Sequence, residues 1–104
     1  GSYIMVGVTG ASFNHTNTSG AYTQSHSMML QNNGCLYVAG GNTKMLSSFY
    51  SGTIITVELD CERRTVTWII DANRFTEPLR ANLQAPFSFC VDLNNSSATL
   101  VARK

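Results

Sequence analysis

Two histidines, His15 and His26, lie eleven residues apart in a polar, serine-rich stretch, and Asp60 and Asp92 follow farther along. A Ser–His–Asp relay needs a serine hydroxyl held against the imidazole, usually on a strained Gly-x-Ser-x-Gly turn. No serine here has that setting, so no catalytic residue is assigned and the chain does not read as an enzyme. Cys35, Cys61 and Cys90 are odd in number and widely spaced. A disulfide framework uses an even count, and a zinc site uses a close Cys-x-x-Cys pair. Cys35 and Cys90 sit beside apolar residues, and the expectation for the set is three buried free thiols in a reducing, intracellular compartment, the cytoplasm. Sequons at Asn14, Asn17, Asn94 and Asn95 point the other way, but such matches arise by chance in a chain so rich in Asn, Ser and Thr. Gly40-Gly41 opens no helix and reads as a turn rather than a phosphate cradle. No metal and no cofactor is expected.

The elements that would position these residues are strands. The 104 residues allow one domain, expected to span 1–104, with Gly1-Ser2 read as an expression scar. Hydrophobic residues make up 43%, enough for one core, whereas charged residues at 12% are about half the usual share. A net charge of +1 offers no footprint for nucleic acid or an anionic membrane surface. No apolar run approaches the roughly 20 residues that span a bilayer.

Ile4, Val6 and Val8 alternate with Tyr3, Met5 and Gly7, which predicts a half-buried strand. Residues 9–27 show no periodicity and read as one long loop, a length usually reserved for function or mobility. Asn33-Gly34 predicts a hairpin turn between two apolar runs. Residues 40–52 read as irregular. Ile55, Val57 and Leu59 share one face of the next strand, and Val66, Trp68 and Ile70 share one face of its partner. Asp60-Cys61-Glu62-Arg63-Arg64 between them reads as a solvated tip, where charge serves solubility and register. Residues 75–84 form at most one turn of helix. Phe87, Phe89, Val91 and Leu93 then alternate, and Asn94-Asn95-Ser96 turns into a last strand with Ala98, Leu100 and Ala102. Short strands at this spacing predict an all-β, antiparallel two-sheet β-sandwich.

The order "YIMVGVTG", "SMMLQNNGCLYVAGG", "GTIITVELDCERRTVTWIIDAN", "PFSFCVDLNNSSATLV" resembles the SPRY domain family. Gly52, Ile54, Val57, Leu59 and Asp60 match its Gly-Asp-x-Ile-x-Val-x-Leu-Asp strand, Trp68 its following aromatic, and Pro86-Phe87 its late Pro-aromatic strand. Thr53 replaces the usual Asp, and Asp71-Ala72-Asn73 replaces the usual Asn-Gly turn. The strands that precede Val-Gly-Val in the family are absent, so the resemblance is to a shortened or divergent member. It implies a jelly-roll-like sandwich that binds a protein or peptide ligand through loops, without catalysis.

The partner-binding residues expected on that basis are Phe13, His15, Tyr22 and His26 on the long loop, Arg74 and Phe75 in a patch with Asn94 and Asn95, and Tyr50 at core or rim. Two alternatives accompany this reading. One is lectin-like carbohydrate binding through Asn, His, Arg and Trp. The other is an assembly element, in which an unpaired edge along residues 3–8 recruits a second copy or a strand donated by another chain.

Overall fold

The computed structural model describes residues 3–11, 26–38, 41–81 and 83–94. These form eight strands: β1 (Tyr3–Thr9), β2 (Ser27–Gln31), β3 (Cys35–Val38), β4 (Gly41–Met45), β5 (Ile55–Asp60), β6 (Thr65–Ile70), β7 (Asn73–Pro78) and β8 (Ser88–Asn94). Among the described residues there is no helix. The strands make two antiparallel sheets, ordered β4-β3-β2-β1-β8 and β5-β6-β7. The fold is all-β and sandwich-like, with one core between the sheets. Of the loop expected over 9–27, Thr9 instead ends β1 and Ser27 begins β2, while most of the rest, and the last strand expected at Ala98, Leu100 and Ala102, lie outside the described residues.

β1 departs from expectation in a way its own residues explain. It pairs with β2 along one side and with β8 along the other, so residues 3–8 form no open edge. Val8 is buried toward the core, and Met5, on the opposite face, is only 1% exposed. A strand with apolar residues on both faces suits an interior position, whereas alternation of apolar with polar would mark a half-solvated one. Gly7 lets its neighbour close in, because a Cβ built there would lie 1.9 Å from the Met28 carbonyl oxygen.

The β2–β3 hairpin turns through Asn32-Asn33-Gly34, and Gly34 N–H donates to the Gln31 carbonyl at 2.8 Å. Only Gly34 takes the left-handed conformation, with φ of 96°. This is the three-residue loop with glycine in the left-handed position, rather than a turn with both Asn33 and Gly34 left-handed. β4, expected to be irregular, pairs with β3 through a register shift between Leu36 and Tyr37. It is an edge strand, where the apolar alternation that reveals a buried strand is not required.

In the smaller sheet the expected faces hold. Val66, Trp68 and Ile70 of β6 are buried, and Ile55, Val57 and Leu59 of β5 pack beside them. β7 was legible as little more than a turn of helix, yet it is the third strand. Phe75 lies opposite Trp68 on the core side, while Arg74 and Thr76 alternate to the outer face. Pro78, which has no N–H to donate, ends this edge strand.

Trp68 links the two layers. Its ring is wholly buried, and Nε1–H donates to the Val6 carbonyl of the opposite sheet at 2.9 Å. A second, smaller cluster, Met5 and Met29 with Tyr3, Tyr37 and Cys90, lies on the other face of the five-stranded sheet.

Candidate functional site

The end of β4 and the connection to β5 hold three of the four exposed large hydrophobic residues among the described residues. Four large hydrophobic residues stand exposed, and three fall within one ten-residue span: Met45 at 61%, Tyr50 at 75% and Ile54 at 68%. Phe89, the fourth, is remote in sequence on the edge strand β8. Single exposed hydrophobics are ordinary, but a cluster on one segment is not.

Local structure explains why these side chains face outward. Phe49 is buried, and its N–H donates to the Asn32 carbonyl at 2.9 Å, while Leu46 N–H donates to the Gly34 carbonyl at 2.8 Å. The connection is thereby fastened to the β2–β3 turn. With Phe49 turned in, Tyr50 turns out, and Ser48 Oγ lies 3.1 Å from the Tyr50 hydroxyl. Thr53 N–H then donates to the Tyr50 carbonyl at 3.0 Å, closing a four-residue turn with Gly52 at φ 91° in its third position. That is the type II arrangement, which asks for glycine there. Tyr50 N–H donates to Thr53 Oγ1 at 3.3 Å and braces the same turn. At the other end, the Met45 methyl and the Ser47–Ser48 backbone both crowd against Gly34 of the β2–β3 turn.

The expected site residues are dispersed. Tyr50 is at the rim and not in the core. Phe75 is half-buried and does not share a face with Arg74. Adjacent strand residues point to opposite faces, and Phe75 packs against the core. Arg74 lies on the outer face of the three-stranded sheet, where its Nη2 donates to Glu58 Oε1 at 2.7 Å across β6. Asn94 ends β8 in the other sheet, paired with Tyr3, and so does not join Arg74 in one face. His26 is half-buried at the foot of β2, and its carbonyl accepts from Gly10 N–H at 3.0 Å. Phe13, His15, Tyr22 and Asn95 lie outside the described residues.

An open depression of about 850 Å³ covers the outer face of the smaller sheet, with Glu58, Asp60, Arg63, Thr67, Arg74 and Thr76 in its lining. Its strongest groups answer one another: Arg74 pairs with Glu58, and the Thr67 and Thr76 hydroxyls share a hydrogen bond at 2.8 Å. A sugar site of the kind that stacks its ligand on tryptophan is not available on Trp68, which is fully buried.

The tip between β5 and β6 also differs from a uniformly solvated loop. Asp60 Oδ1 accepts from the N–H groups of Glu62 and Arg63, at 3.1 and 3.0 Å, and so shapes the turn. Arg64 folds back, its Nη2 donating to the carbonyls of Arg80 and Leu83 at 3.0 and 2.7 Å. Cys61 is exposed on this loop, and Cys35 and Cys90 are half-buried, so the expectation of three buried thiols is corrected. A loop clear of the core has no apolar environment to offer a cysteine. Among the described residues no three His, Cys, Asp or Glu side chains gather as a metal centre, and no helix is long and apolar enough to cross a membrane.

No family model, no curated protein and no solved structure matches this chain.

Proposed function

We propose that the chain is a non-enzymatic, SPRY-like recognition module that holds a protein or peptide partner on the surface formed by Met45, Tyr50 and Ile54. One observation carries the reading: three exposed apolar side chains on a connection whose backbone is pinned to the β2–β3 turn. Pinning lowers the ordering cost of binding, and a tyrosine presents large area with few rotors. A flexible thioether beside it adapts to the shape of what docks. The residue resemblance to a family of recognition modules supports the same class of function. It adds Phe13, His15 and Tyr22 as a second candidate surface.

A displayed library of random peptides, panned on the intact chain, tests this. Enriched peptides are expected to bind a Tyr50→Ala, Ile54→Ser variant about 30-fold more weakly, the loss of a hot spot of roughly 2 kcal/mol. Equal binding to that variant, with binding lost in Phe13→Ser, Tyr22→Ser, moves the surface to the long loop. Failure to enrich any peptide contradicts the recognition reading itself.

A further inference from the structure

We propose that Cys35 and Met45 form a binding site for a soft monovalent metal ion, with Cu(I) the fitting case. The β3–β4 register sets these residues directly opposite each other, and their sulfur atoms, Cys35 Sγ and Met45 Sδ, lie 3.3 Å apart. Cross-strand partners hold their Cβ atoms about 5 Å apart on one face, so the two sulfurs converge by construction of the sheet.

The donor set selects the metal. A thiolate and a thioether are soft ligands that favour Cu(I), whereas carboxylates, carbonyls and water suit Mg, Ca and Mn. Structural zinc takes four ligands. The described residues gather no trio of His, Cys, Asp or Glu that could complete such a set. A d¹⁰ monocation is satisfied by two sulfurs in a near-linear array. With metal–sulfur bonds of about 2.3 Å, the length of a zinc–thiolate bond, the sulfurs must spread to about 4.6 Å. Met45 can make that move, being 61% exposed and carrying an unbranched chain with three rotors. Its exposure also gives the ion a path from solvent.

Binding involves no redox change. Cu(I) replaces the thiol proton of Cys35, the proton passes to solvent, and the Met45 sulfur donates its lone pair without bond cleavage. Affinity therefore falls as pH falls, because the proton competes for the same sulfur.

The test uses the full chain under anaerobic conditions, with Cu(I) titrated against the coloured chelator bicinchoninate. Any exposed thiol holds some Cu(I), so the starting protein carries Cys61→Ser and Cys90→Ala. It is expected to keep one equivalent of Cu(I) and to release one proton per ion bound. Adding Cys35→Ser should abolish binding. Adding Met45→Leu, a change at an exposed position that leaves the circular dichroism spectrum intact, should weaken it by about tenfold or more. Unchanged affinity in the Met45→Leu protein overturns the proposal, since the thiol alone would then account for binding. Loss of the metal on removing Cys61 and Cys90 overturns it as well.

Discussion

The indole of Trp68 and the guanidinium of Arg64 each add a side-chain hydrogen bond between separate pieces of chain. Trp68 fills the core between the sheets and hydrogen-bonds to the Val6 carbonyl across it. Trp68→Ala is expected to destabilise the fold by about 3–5 kcal/mol, the range for emptying a large aromatic site. Trp68→Phe should cost roughly half as much, since it keeps most of the packing and loses the indole N–H. Urea unfolding of the two variants reads the difference. Arg64 and Arg63 make a sharper comparison, being adjacent and alike in sequence. Arg63 is 84% exposed and lies 3.9 Å from Asp60, an ion pair that water screens to little. Arg64 secures two carbonyls of the 80–83 segment. Arg64→Ala is therefore expected to cost about 1–2 kcal/mol, and Arg63→Ala less than about 0.5 kcal/mol. Equal costs would show that the Arg64 hydrogen bonds contribute nothing.

At the scale of elements, period-two alternation found the strands that bury one face against the core. β5 and β6 could be read to the residue, and Trp68 could be assigned inward, because Val66 and Ile70 keep the same phase. The edge strands escaped. β4, Gly-Asn-Thr-Lys-Met, has no apolar alternation to read, and among the described residues it pairs with β3 alone. β7 reads as at most a turn of helix because its alternation of Phe75 with Arg74 and Thr76 is short and Pro78 interrupts it. β1 reads as an edge because the strands that precede Val-Gly-Val in the resembled family are absent, while its second neighbour, β8, pairs from 79 to 91 residues away, a distance no local pattern reports. Of the candidate surface, Tyr50 was legible as a residue able to go either way, and Gly52 marked the turn that exposes it. Ile54 falls in the phase opposite Ile55, Val57 and Leu59 and so reads outward, whereas Met45 lies in a stretch that reads as irregular and shows no face.

Two expectations belong to this scale. Backbone amides of β1 should be among the slowest to exchange with deuterium, as in an interior strand, and fast exchange along residues 4–8 would contradict pairing on both sides. Gly7→Ala should destabilise by about 3 kcal/mol or more, because its new methyl meets the backbone of β2 and not a yielding side chain. A thermal midpoint within a few degrees of the parent would show that β1 and β2 can separate at little cost.

As a whole, the molecule divides its labour between a cross-linked frame and a fastened apolar connection at its surface. The outer face of the smaller sheet pairs Arg74 with Glu58, and Phe75 packs against the core, so the proposed docking surface rests on the exposed residues around Tyr50. Chemical-shift mapping with a peptide enriched on the intact chain tests this most directly. The account predicts that the largest amide shifts cluster at residues 45–54 and at the β2–β3 turn beneath them, with the three-stranded sheet little changed. Shifts centred on Glu58 and Arg74, or on residues 13–22 with Tyr50 unmoved, would contradict it.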